Sequence, residues 1–242
     1  MKLIQLSDCH LLENPEREGY GGINPLQSLL AVLNLVATQK PDGIIVTGDI
    51  SGDDSDASYQ FFIDALNQWL PDVPVKVIAG NHDNNPLFNS RLAPWLLTAD
   101  TCWEFGDWCI HGLDTRSTGT LGIINPNQLQ QISTQIQQHA EKQHLLALHH
   151  HPVATYSWMD KHALQGVPLL EAWLAEHPVA ALLHGHIHAD NLASLAGRPV
   201  YGAPSTCWQW ALTPEFGLAD VAPGFRQFNL TSSLSTEIGR VT

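Results

Sequence analysis

Ala79-Gly80-Asn81-His82-Asp83-Asn84 follows the short apolar run Val75-Lys76-Val77-Ile78, so it falls where a buried strand gives way to a loop. Open α/β sheets collect their ligands at such strand ends. Gly80 lets the backbone turn sharply, and three side chains of different chemistry follow at once. Asn81 offers a neutral amide oxygen, His82 a nitrogen base or acid, and Asp83 a carboxylate. Taken alone, the quartet is equally a turn with helix-capping residues. What the other strand ends carry decides between the two.

Working outward, Lys2 to Leu6 reads as a strand that ends in Ser7-Asp8-Cys9-His10. Ile44-Ile45-Val46-Thr47 is a β-branched run, read as a buried strand that ends in Gly48-Asp49. Beyond the opening stretch, His144 to Leu148 leads into His149-His150-His151-Pro152, and Val179 to Leu183 into His184-Gly185-His186-Ile187-His188. Helices separate these strands. Asn24 and Pro25 start one over 25–38, with Leu26, Leu29, Leu30, Leu33 and Ala37 at helical spacing. Tyr59, Phe62, Ile63, Leu66 and Trp69 mark a second, stopped by Pro71. Asp53, Asp54 and Asp56 suit the start of that helix rather than a ligand set. A helical piece is expected over 86–97, a strand pair over Cys102 to Leu113 with its turn at Gly106-Asp107, and further helices from Asn125-Pro126 and over 167–176. The stretch from Pro199 to Val241 reads as β. Alternating helices and strands argue an α/β fold, and residues 1–242 are read as one domain.

Composition narrows the function. Lys and Arg number 11 against 24 Asp and Glu, a net charge of −13 that disfavours nucleic acid as a partner. The same charge means that an anionic substrate needs a local positive centre, which bound metal would supply. Cys9, Cys102, Cys109 and Cys207 show neither C-x-x-C spacing nor a disulfide framework, so reduced thiols and a cytoplasmic location are expected. Met1 to Asp8 reads as too short and too quickly polar for a signal peptide, and no apolar run reaches the length of a membrane span.

Five apolar strands therefore end in Asp, Asn or His: Asp8 and His10, Asp49, Asn81-His82, His149-His150, and His186 with His188. Residues two apart on extended chain point the same way, which makes Asp8/His10 and His186/His188 natural chelating pairs. Imidazole and carboxylate without thiolate suit Fe, Mn, Zn or Co and argue against a structural cysteine-type zinc site. Seven or eight such donors are too many for one ion and fit two ions sharing a bridging carboxylate.

Asp-x-His, Gly-Asp, Gly-Asn-His-Asp, His and Gly-His-x-His, in that order over residues 8–188, resemble the calcineurin-like metallophosphoesterases. Tyr20-Gly21-Gly22-Ile23-Asn24, His150-His151-Pro152-Val153, Ser157-Trp158-Met159-Asp160, Pro204-Ser205-Thr206-Cys207 and Ala222-Pro223-Gly224-Phe225-Arg226 are similar to the bacterial class III cyclic-AMP phosphodiesterases. The resemblance implies a layered α/β/β/α sandwich of two mixed sheets flanked by helices. It implies one metal held by Asp8, His10 and His188, a second by Asn81, His150 and His186, and Asp49 as the bridge; Fe or Mn is favoured over Zn or Co. His150 is chosen because the family pattern places the ligand two positions before the proline. His149 and His151, on the other face of the strand, would then serve packing or support. Where relatives often have Thr, this chain has Cys9, a thiol beside the site.

Phosphodiesters are anionic and hydrolyse slowly. Two metals ~3.5–4 Å apart offset the charge and lower the pKa of a shared water towards about 7, giving a hydroxide that attacks phosphorus. His82 is read as the catalytic residue, touching phosphate and helping to protonate the leaving sugar oxygen; Asn81 and His188 also border the substrate. The implied reaction converts 3',5'-cyclic AMP to 5'-AMP. Trp158, Trp208 and Trp210 are candidate stacking faces for the base, though each is more often a core or interface residue. The alternatives are a broader metallophosphoesterase acting on 2',3'-cyclic nucleotides, glycerophosphodiesters or phosphomonoesters, and a non-catalytic scaffold on the same fold.

Overall fold

A computed structural model describes residues 1–242. β1 (Lys2–Leu6), β2 (Gly43–Thr47) and β3 (Val75–Ile78) run parallel, joined by α1 (Pro25–Gln39) and α2 (Asp56–Trp69). Local chemistry starts each helix. The Asn24 side chain accepts the Gln27 N–H with Pro25 at the first helical position, and Ser55 accepts the Ser58 N–H. The expected helical piece after Asp83 is interrupted: α3 covers Pro86–Arg91 and a short 3-10 turn covers Ala93–Trp95. Pro94 lies inside that turn, where it cannot donate to a continuing helix.

β4 (Cys102–Phe105) and β5 (Trp108–Leu113) form the expected hairpin. β6 (Gly122–Ile123), α4 (Pro126–Gln138), β7 (Gln143–Leu148), β8 (Leu164–Gln165), α5 (Val167–Glu176) and β9 (Val179–His184) follow. The remainder is β10 (Asn191–Leu195), β11 (Arg198–Gly202), β12 (Gly224–Leu230) and β13 (Leu234–Arg240). β10 lies before the expected β region; only Leu195 of its five residues is buried, so no buried apolar run marks it.

The strands make a five-stranded sheet in the order β13-β12-β1-β2-β3 and a six-stranded sheet in the order β10-β11-β9-β7-β5-β4, with β6 and β8 paired apart. Both large sheets are mixed, parallel at the centre and antiparallel at an edge. Leu3, Ile45 and Phe228 of the first sheet pack with Ile110, Leu145, Ala181 and Leu183 of the second. On the outer side of the first sheet Ile4, Leu6, Ile44 and Val46 meet Leu29, Leu33 and Phe62 of α1 and α2. On the outer side of the second, Leu146, Leu148 and Leu182 meet Ile132, Leu170 and Leu174 of α4 and α5. This is the expected α/β/β/α sandwich, and it sets the carboxyl ends of β1, β2, β3, β7 and β9 along one rim. No helix is long and apolar enough to cross a membrane.

Candidate metal centre and active site

The rim is built from short, tightly crossed turns. Asp8, His10, Asp49, His186 and His188 all have positive φ, between 45° and 69°. Non-glycine residues rarely adopt this region, and each such conformation costs on the order of 1–3 kcal/mol. Glycines let the turns pass at contact distance. A Cβ on Gly80 would lie 2.1 Å from Asp49 Oδ1, and one on Gly185 would lie 1.9 Å from Ser7 Oγ. Asp83 sits beneath, fully buried, accepting from the Gly80, Ile50 and Ser51 amides and from the Tyr59 hydroxyl at 3.0–3.2 Å. Burial, reinforced by the Asp49 charge, pushes the Asp83 carboxyl up to about 6.

Two groups of donors converge on opposite sides of Asp49. In the first, donor atoms of Asp8, His10 and His188 lie within 4.8 Å of one another. His10 Nε2 is 3.0 Å from His188 Nε2, which is itself 3.4 Å from Asp8 Oδ1. In the second, His149 Nε2 lies 3.2 Å from both Asn81 Oδ1 and His186 Nδ1, and 3.4 Å from Asp49 Oδ2. Asp49 Oδ2 is also 3.7 Å from His10 Nε2, which sets this carboxylate between the groups. His82 stands at the exposed edge, its backbone N–H donating to Asp49 Oδ1 at 2.8 Å and its ring 4.9 Å from that of His10.

Two sequence expectations are corrected here. His149, not His150, joins Asp49, Asn81 and His186. β7 ends at Leu148, so the next residues no longer alternate as a strand, and the His150 ring turns away to Thr115 Oγ1 at 2.7 Å. His151 faces Asp160 at 3.5 Å. The pairing of His186 with His188 also fails: both residues are left-handed rather than extended, and their rings enter different groups. Cys9 is fully buried in the outer core. Burial pushes its thiol up to about 12, so it is an inert thiol rather than an oxidisable one.

The donor chemistry fits cations. The Nδ1–H of His149 donates to the Thr47 carbonyl at 2.6 Å, and the Nε2–H of His186 donates to the His162 carbonyl at 3.1 Å. Those outward bonds fix the tautomers and leave His149 Nε2 and His186 Nδ1 as lone pairs facing each other. When His149 is neutral they form, with Asp49 and Asn81 Oδ1, a converging set of acceptors. His188 repeats the device, donating Nδ1–H to the Trp208 carbonyl at 2.9 Å. Burial raises the pKa of Asp49, but the neighbouring His149 outweighs it and holds the carboxyl well below its usual range. Burial likewise opposes a charge on His149, yet Asp49 lifts it to about 9, so a proton on Nε2 takes the place that a cation would fill. The protein's own groups thus call for positive charge at the point where these acceptors meet.

A cavity of about 690 Å³ opens over both groups, lined among others by Arg17, Tyr20, His82, Trp158, His162 and Trp210. Trp208 and Trp210 are nearly buried and stack on His10 and His188 at 5.2 and 4.8 Å, so their faces are taken. Tyr20 is 52% exposed and Trp158 is half-buried, and both present ring to the cavity. Arg17, in a loop, and His162, the last residue of the 3-10 turn Trp158–His162, have no sequence pattern to mark them.

A sandwich of two sheets with a rim of acceptors arranged for two cations defines a metallohydrolase. The calcineurin-like phosphoesterase pattern matches residues 1–190, and the chain belongs to that family. It is 33% identical over 250 residues to the 3',5'-cyclic adenosine monophosphate phosphodiesterase CpdA of Escherichia coli K12, covering all of this chain and 90% of the relative. It is 34% identical to the protein of the same name from Pseudomonas aeruginosa, covering 99% of this chain and 89% of the other. The fold also matches a dimetal phosphatase from Danio rerio with a TM-score of 0.64 at 14% identity, covering all of this chain and 98% of that one.

Proposed function

We propose that this protein hydrolyses 3',5'-cyclic AMP to 5'-AMP at a two-cation centre. The single observation that carries the catalytic half of this reading is the convergence of His149, His186, Asn81 and Asp49 beside Asp8, His10 and His188. The substrate rests on full-length similarity to proteins named for that diester. Asp8, His10 and His188 would hold one cation, Asn81, His149 and His186 the other, with Asp49 shared. Bound there, the cations supply Lewis-acid charge for the phosphoryl oxygens and acidify water, as metal pairs in phosphoesterases do. Iron and manganese match the mixed imidazole and carboxylate donors.

The chain's own residues complete the site. His82, exposed at the cavity edge, can reach a phosphoryl or departing 3'-oxygen and deliver a proton to it. Asp83 keeps the Gly80 turn in place, so Asn81 and His82 are presented together. Tyr20 and Trp158 offer free aromatic area for the purine, whereas Trp208 and Trp210 hold ligand histidines. The four cysteines are free thiols, which suits the reducing interior of a cell.

The test is turnover of 3',5'-cyclic AMP, 3',5'-cyclic GMP, 2',3'-cyclic AMP and p-nitrophenyl esters by manganese- or iron-loaded protein. The expected order puts 3',5'-cyclic AMP first. If it ranks among the poorest while other diesters turn over, the substrate is wrong and the phosphoesterase chemistry stands.

A further inference from the structure

A second group of soft donors lies at the opposite end of β7 from the rim. Cys102 of β4 and Cys109 of β5 place their sulfurs 3.2 Å apart, and with His139 their donor atoms fall within 4.8 Å of one another. Register explains the convergence. Cys102 pairs with His111, and Cys109 pairs with both Glu104 and His144, so all five side chains share the sheet face that α4 covers. His139 is the residue at which α4 ends, directly over that face. His111 Nε2 and His144 Nδ1 meet at 3.0 Å, while His111 Nδ1 and His144 Nε2 are buried with no hydrogen-bond partner. Buried imidazole nitrogens left in this state are rare in folded proteins.

We infer that Cys102, Cys109 and His139 bind one thiophilic divalent cation of the zinc type, at a site separate from the rim. His144 stands near the start of β7 and His149 just beyond its end, which separates the two sites by about 16 Å at strand rise. The site is independent of the proposed phosphodiesterase activity. On binding, each thiol releases its proton to solvent as a sulfur–metal bond forms, and two thiolates balance the cation's charge. A tetrahedral ion bonded to both sulfurs at ~2.3 Å sets them about 3.8 Å apart, a small opening from the contact observed. A disulfide fits less well. The two cysteines are diagonal neighbours across the hairpin, a relation that spaces Cα atoms by about 7–8 Å, beyond the usual reach of a disulfide. His139 is half-exposed, which leaves the fourth position to water. Such an ion would pin β4, the outermost strand of its sheet, to the end of α4.

Cobalt(II) is the probe, because a sulfur-to-cobalt charge-transfer band reports thiolate ligation and the rim offers none. Wild-type protein already loaded at the rim should show this band on titration, saturating at one further equivalent of cobalt. Cys109→Ser and the half-exposed Cys102→Ser should lose the band while still hydrolysing phosphodiesters. His139→Ala, at a helix end, should weaken cobalt binding by about 10-fold or more, and Cys207→Ser should leave the band unchanged. Absence of the band in wild type, or its persistence in both Cys102→Ser and Cys109→Ser, overturns the site. So does quantitative formation of a Cys102–Cys109 disulfide by diamide in protein presaturated with zinc.

Discussion

Replacing His149 and His150 by alanine, one at a time, separates the two neighbours by what their rings touch. His149 is fully buried with Nε2 at 3.2–3.4 Å from Asn81, His186 and Asp49, and its Nδ1–H is spent on the Thr47 carbonyl. Its loss removes one of four donors from the second group. Removing a residue that merely orients a ligand costs about 10–100-fold in metal affinity, so removing a donor should cost at least ~100-fold, or about 2.7 kcal/mol. His150 makes a single bond, to Thr115 Oγ1, and packs against Gly122. Its truncation leaves a hole and an unpaired hydroxyl, a stability cost of ~2–4 kcal/mol with the donors intact. The assay is metal content after equilibration at a fixed free manganese concentration, followed by kcat/KM on the same samples and thermal melting. His149→Ala should lose one metal equivalent and at least ~100-fold in kcat/KM, in line with its affinity loss. His150→Ala should melt earlier yet keep two equivalents and nearly full turnover. The reverse pattern, with metal lost from His150→Ala and retained by His149→Ala, refutes the assignment.

Four other outcomes are expected. His82→Ala should keep both metals and lose roughly 10²–10⁴ in kcat, since its ring borders His10 and Asp49 from the exposed cavity edge without belonging to either group of buried donors; near-normal turnover of the metal-replete variant removes it from the chemistry. Tyr20→Ala should raise KM for 3',5'-cyclic AMP about fivefold or more, on a stacking contribution of ~1–3 kcal/mol, and leave p-nitrophenyl esters unaffected; equal effects on both substrate types argue against base stacking. Asp83→Asn should destabilise by about 1–3 kcal/mol, because an amide cannot accept from all the N–H groups now aimed at the carboxylate; denaturant midpoints with unchanged slope read it directly. Burial holds His184 neutral with its pKa down at about 3 against 6.5 when free. Stability therefore falls as pH drops from 6.5 towards 3, because the unfolded chain takes the proton first. Between pH 7 and 5 wild type should lose about 2 kcal/mol more than His184→Gln, measured by guanidinium unfolding; parallel losses in the two proteins exclude His184 as the source.

The sandwich was legible because its parts are local. Asn24-Pro25 and Asn125-Pro126 announce helix starts, and the β-branched run Ile44 to Thr47 announces a central strand. The interrupted helix after Asp83 was less so, since Pro94 breaks a pattern whose apolar residues continue to Leu97. At the rim, residue types and order carried the chemistry, but direction did not follow from alternation. His149 and His150 differ in the sequence only by one position, and the end of β7 at Leu148 decides which ring faces Asp49. Positive φ at His186 and His188 is equally invisible in a string of letters, because it arises from loops crossing with no room for an extended chain. Trp208 and Trp210 could not be told from base-stacking residues until their faces were found occupied by His10 and His188.

The close crossing at Gly80 and Gly185 has a consequence for how such a site can change over time. Gly80 touches Asp49 and His149 at once, and Gly185 touches Ser7 and Asp8, so turns from both sheets are keyed to one another through atoms rather than through a flexible solvent layer. A substitution that enlarges one turn must be answered in another before either donor group is restored. The variable unit is therefore the whole set of five turns, inherited together. Transplanting any one of them from a relative into this chain should fail where transplanting all five succeeds. Drift in substrate preference is left to the loops around Tyr20 and Trp158, which border the cavity without joining that interlock.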